Sequence, residues 1–131
     1  MTLRTVTLLL AGAVGACAPA ATGTGRPVPD RNVVAAAELA ATGATDLYTA
    51  LRQLRPEFLQ ARGVSSLRSG NAPDLPVVYL DGVQIGGPDE LNRISTVDVR
   101  EVRRLSAHEA AARTGTYTPG GAILVFTKKT G

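Results

Sequence analysis

The sequence predicts a small α+β domain, with a β-hairpin and a mixed sheet accompanied by two to three short helices. Three observations carry that expectation. Leu47, Leu51, Leu54 and Phe58 recur at three- and four-residue spacing, the period of an amphipathic helix. Asp81-Gly82 separates two β-rich runs, Val77-Val78-Tyr79-Leu80 and Val83-Gln84-Ile85, and such a pair is a strong two-residue hairpin signal. Ala122-Ile123-Leu124-Val125-Phe126 is apolar on both faces, which suits a central strand covered on both sides.

Taken in chain order, Val33-Val34 suits a short strand and the Ala-rich stretch after it a weak helix ending at Gly43. Thr45-Asp46 then caps the amphipathic helix, and Pro56 ends or kinks it near Arg55, because proline lacks the N–H and crowds the preceding turn. Arg52, Arg55 and Arg62 lie off the apolar stripe and read as a solvated face. Gly63 to Pro76 is a polar loop, followed by the hairpin that Gly86-Gly87 stops. Pro88-Asp89-Glu90 suits a helical first turn, with Leu91 and Ile94 packing inward. Val97 to Leu105 reads as a strand with an irregular start. Ser106 and Glu109 stand in capping-box register for a short helix that Gly115 closes. Pro119-Gly120-Gly121 is a turn into the last strand. Nearly all large apolar side chains downstream of the first sixteen residues lie beyond residue 46, so the core is assigned to 46–131 within a domain of 32–131.

Composition removes several function classes. A chain of 131 residues holds one modest domain. Its net charge of +3 is mild and evenly mixed, and 4% aromatic content without Trp offers no base-stacking surface; nucleic acid is not an expected partner. A single Cys excludes an internal disulfide framework and multi-Cys zinc sites, and a single His (His108) excludes paired-His metal motifs. His108 falls at the second position of an Ala-rich helix with no triad in view, and the glycine-rich spots lack P-loop or dinucleotide signatures. The expectation is therefore no enzyme, no metal and no cofactor.

The N-terminus carries a different signal. Arg4 precedes twelve uncharged residues, Thr5 to Ala16, which as a helix would reach about 18 Å, short of the roughly 30 Å hydrocarbon core. A positive start, a short apolar run and small residues at its end form a secretory signal pattern over residues 1–16. Val14-Gly15-Ala16-Cys17 resembles the lipobox of bacterial lipoproteins. That resemblance implies cleavage before Cys17, diacylation of its sulfur and acylation of its new amine, and the multiple chains would give a stable anchor. Ala18 stands where the family's inner-membrane retention residue, Asp, would be, which implies the periplasmic face of the outer membrane. The alternative is an ordinary signal cut after Ala16 or Ala18. Residues 17–31, rich in Pro, Gly and Thr, read as a lipidated Cys and a tether.

From Asp46 onward the order of elements resembles the plug domain of TonB-dependent outer-membrane receptors. The residues that carry the resemblance are Val77-Val78-Tyr79-Leu80-Asp81-Gly82-Val83, Ile94, Val97 to Leu105, Ala110 to Gly115, and Gly120 to Lys128. In those receptors a membrane barrel follows the plug, and none follows Thr127 in this sequence, so transport by the chain alone is not expected. Asp30-Arg31-Asn32-Val33-Val34 is a poor match to an energising TonB-binding box.

Together these readings lead to a lipid-anchored binding module that docks with an envelope partner, either an outer-membrane barrel or a component of a TonB-type system. The candidate partner-binding residues are Asp81 and Gly82 at the hairpin tip and the basic cluster Arg100, Arg103 and Arg104; a charged, solvated strand edge is the other reading of that cluster. The loop from Gly63 to Pro76 is a further candidate surface. Two alternative functions stand beside this one: a small-ligand carrier with a pocket between the Asp46 helix and the sheet, and a purely structural envelope lipoprotein.

Overall fold

The computed structural model describes residues 30–61 and 74–128. The signal segment, Cys17, most of the tether and most of the Gly63–Pro76 loop lie outside them. The elements are β1 (Val33–Ala35), α1 (Ala36–Ala41), α2 (Leu47–Leu54), β2 (Val77–Leu80), β3 (Val83–Gly86), β4 (Val99–Leu105), α3 (Ala107–Thr114) and β5 (Ala122–Thr127). Short 3₁₀ turns occupy Pro56–Phe58, Pro88–Arg93 and Thr96–Asp98. The five strands form one sheet in the order β1-β4-β5-β2-β3. β2 runs parallel to β5 and every other pair is antiparallel, so the sheet is mixed. The fold is α+β, as the hairpin, the helical period and the doubly apolar strand predict.

Side-chain caps start α2 and α3, whereas α1 begins at Ala35 without one. The Asp46 carboxylate accepts the Thr49 N–H at 2.7 Å, which caps α2, and that bond holds the Asp46 carboxyl below the usual carboxylate range. α2 ends at Leu54, and Pro56 opens a 3₁₀ turn instead of continuing it. Arg55 does not belong to a solvated face: it is half-buried and pairs with Glu38 of α1 at 3.3 Å, while Arg52 is exposed. In α3 the capping box closes both ways, Glu109 N–H to Ser106 Oγ at 3.3 Å and Ser106 N–H to Glu109 Oε2 at 2.8 Å. The backbone bond from Ser106, more than the side-chain one, lowers the Glu109 pKa.

Most of the core lies on one face of the sheet. Leu47, Ala50, Leu51, Phe58 and Leu91 pack there against Val78, Val99, Val102, Ile123 and Val125, all buried. Val34 of β1 and Leu39 of α1 join them with no exposure at all. The core therefore begins upstream of residue 46, because β1 pairs with β4 and brings α1 down beside α2. Each fully buried Leu contributes about 2 kcal/mol relative to exposure. A smaller cluster on the opposite face joins Tyr79, Leu105, Ala122 and Leu124 to Ala110 of α3. β5 is thus apolar on both faces because both faces are covered.

Candidate functional site

Two of the sequence-selected surface features meet at one end of the sheet. The β2–β3 turn places Asp81 at φ 46° and Gly82 at φ 90°, the doubly positive pattern of a type I′ hairpin. A Cβ on Gly82 would touch nothing, so glycine is used there for its backbone freedom alone. The turn is fastened to the neighbouring strand. Asp81 N–H donates to Val125 O at 2.9 Å, and its carboxylate accepts Thr127 N–H at 3.0 Å and Thr127 Oγ1–H at 2.5 Å. The parallel pairing of β2 with β5 sets these groups side by side.

Beside the turn, Arg100 lays its guanidinium 5.8 Å from the centroid of the Phe126 ring, a cation–π contact. Asp81, Gly82, Arg100, Phe126 and Thr127 line an open groove of about 480 Å³. The next residue, Lys128, is held to the segment before β4: its N–H donates to Asp98 O at 2.7 Å and its Nζ to Val97 O at 2.8 Å. The Val83 and Val97 side chains stand exposed at the same end of the sheet.

The basic cluster does not stay together. Strand alternation sends Arg103 to the α3 face, where it pairs with Glu101; that hydrogen bond, reinforced by the Glu101 charge, raises the Arg103 pKa. Arg103 lines a separate recess of about 140 Å³ with Asp30, Asn32, Glu109 and Arg113. Arg104 is only 4% exposed and lies on the core side. It donates to Phe58 O, and to Gly120 O at 2.9 Å, linking the turn after α2 to the turn before β5. The reading of this cluster as a solvated strand edge is corrected here: β4 lies between β1 and β5, and its arginines divide between two faces.

Phe126 was not singled out from the sequence, where it reads only as the end of an apolar strand. Its role follows from register: Thr127 faces Val99 and Phe126 faces Glu101, which leaves Arg100 over the ring at an irregularity in the pairing. His108 is exposed on α3. Among the described residues no three His, Cys, Asp or Glu side chains converge as metal ligands, and no helix is long and apolar enough to cross a membrane.

No protein-family model matches the chain, and no curated protein matches it. Solved structures do. The chain is similar to a point mutant of the ferric enterobactin receptor from Pseudomonas aeruginosa in complex with enterobactin, with a TM-score of 0.52 and 17% identity over 76% of this chain. It is similar also to that receptor in complex with BCV-L6, with a TM-score of 0.51 and 18% identity over 76% of this chain. In both cases it covers 17% of the receptor chain. At such identity the likeness is one of fold, and it agrees with the plug-like architecture that the sequence motifs imply.

Proposed function

We propose that the chain is a lipid-anchored interaction module of the cell envelope. Acyl chains on Cys17 hold it at the periplasmic face of the outer membrane, and the plug-like domain docks with an outer-membrane barrel or another component of a TonB-type uptake system. The observation that carries this reading is the fold likeness to one portion of a receptor chain. The lipobox-like Val14-Gly15-Ala16-Cys17 supports the anchor. An exposed turn fastened rigidly to its sheet is a suitable docking surface, since recognition residues work best on loops held by a stiff scaffold.

The carrier reading needs open space between α2 and the sheet. Leu47, Ala50 and Leu51 are fully buried at that interface, which favours docking over carriage. Cell fractionation with a fatty-acid analogue tests the anchor. Wild-type chain takes up label and sediments with outer membranes, and Cys17→Ser does neither. Label retained by Cys17→Ser overturns the anchor. Site-specific photocrosslinking from the hairpin turn in living cells tests docking: adducts with an outer-membrane barrel or a TonB-system protein support it, and their absence counts against it.

A further inference from the structure

We propose that Asp81 is a site of spontaneous covalent modification: its carboxyl closes on the Gly82 backbone nitrogen and reopens as isoaspartate, at a rate that Thr127 holds down. Nothing in this chemistry depends on docking.

The sequence confines the reaction to one place. An aspartate closes on the next residue's nitrogen most readily where that residue has no side chain to crowd the ring. Asp81 is the only aspartate in the chain that a glycine follows, and no asparagine precedes a glycine. The fold then sets the pair where water reaches it. Both residues are exposed at the tip of the β2–β3 hairpin, and a Cβ on Gly82 would find nothing within 4 Å.

The reaction balances with water as its only co-reactant. Gly82 N forms a bond to Asp81 Cγ, the carboxyl's hydroxyl leaves as water with the amide proton, and a five-membered succinimide remains. Water then opens either ring carbonyl. Opening at Cγ restores aspartate; opening at the former main-chain carbonyl leaves the chain running through Cγ, which is isoaspartate.

Thr127 opposes the first step. Its N–H donates to one Asp81 carboxylate oxygen at 3.0 Å and its hydroxyl to the other at 2.5 Å. Whichever oxygen leaves, one of these bonds breaks first, and bonds to an ionised acceptor are the stronger kind. Asp81 is fastened through its main chain as well, since its N–H donates to Val125 O at 2.9 Å. The product undoes this arrangement. Isoaspartate adds one methylene to the main chain, and a two-residue turn at φ 46° and 90° has no slack for it. The free carboxylate also moves to a different carbon, so conversion unfastens the hairpin tip from β5.

The test incubates the full chain in neutral detergent micelles, warm and at neutral pH. Peptide mass spectrometry with electron-transfer fragmentation then distinguishes isoaspartate from aspartate at each position. Isoaspartate is expected at residue 81 and at no other aspartate, and faster in urea-unfolded than in folded chain. Thr127→Val loses the hydroxyl donor and keeps the N–H, and its folded form should convert about three- to tenfold faster than wild type. Gly121→Ala weakens the fold at the opposite end of β5 and, while folded, keeps the wild-type rate. Equal rates in folded wild type and Thr127→Val, equal rates in folded and unfolded wild type, or acceleration by Gly121→Ala as large as by Thr127→Val overturns the proposal.

Discussion

The Asp81 carboxylate holds Thr127 with both oxygens, one on its N–H at 3.0 Å and one on its hydroxyl at 2.5 Å. The pair ties the tip of a hairpin to the end of a strand that is its parallel neighbour. Asp81 also sits at φ 46°, a conformation that Asp tolerates better than most side chains and Ala does not. Asp81→Ala therefore loses two charge-assisted bonds and keeps the strain, costing about 1–3 kcal/mol. Asp81→Asn retains an accepting oxygen and tolerates the turn, so it loses less. Urea unfolding followed by circular dichroism ranks the three proteins, and Asp81→Ala as stable as wild type would contradict the tie.

Arg104 and Arg103 are adjacent in sequence and opposite in consequence. Arg104→Met leaves the carbonyls of Phe58 and Gly120 without the guanidinium that reaches them, in a site only 4% exposed. A loss of about 3 kcal/mol is expected, from two buried acceptors left short of a donor. Arg103→Met breaks only a partly exposed pair with Glu101 and shifts stability by less than about 1 kcal/mol. Thermal unfolding of the two variants separates the roles, and equal losses would show that burial does not distinguish them.

The difference between those two arginines was legible in the sequence but needed a register. Val102 and Arg104 are two residues apart in a strand and so share a face, while Glu101, Arg103 and Leu105 share the other. Grouping Arg100, Arg103 and Arg104 by proximity in sequence hides that alternation. The local signals were secure wherever one residue dictates its own backbone: Asp81-Gly82 at the turn, Ser106 with Glu109 at the cap, Pro56 after α2. What local reasoning could not supply was non-local pairing. β1 is three residues long, and only its ladder with β4 brings Val34 and Leu39 into the core. The groove has the same origin, since Arg100 meets Phe126 through an irregularity between β4 and β5 that no window of sequence displays.

Gly121 and Gly82 both have positive φ, at 77° and 90°, yet they differ in their surroundings. A Cβ on Gly82 would meet open space, so Gly82→Ala costs only backbone strain, about 1–2 kcal/mol. A Cβ on Gly121 would stand 2.3 Å from the carbonyl oxygen of Leu105, so Gly121→Ala must also displace backbone where β4 hands over to α3. Gly121→Ala is expected to lower the unfolding midpoint well beyond Gly82→Ala. Comparable midpoints for the two would show that the close approach is relaxed at no cost.

The two helix caps make stability depend on acid. Asp46 is held below the usual carboxylate range chiefly by the Thr49 N–H, and Glu109 chiefly by the Ser106 N–H. Each folded pKa is depressed relative to the unfolded chain, so the unfolded state binds protons first as the pH falls. The caps' contribution is complete at neutral pH and is lost from about pH 5 downward, as each carboxylate protonates. Urea midpoints measured from pH 7 to 3 should therefore decline through that window. Asp46→Asn keeps a capping oxygen that does not titrate, so α2 survives at neutral pH while the acid-dependent decline becomes shallower. Adding Glu109→Gln should flatten it further, because the amide still reaches Ser106 in the capping box. A double variant whose midpoint falls with acid as steeply as that of wild type would place the sensitivity elsewhere in the chain.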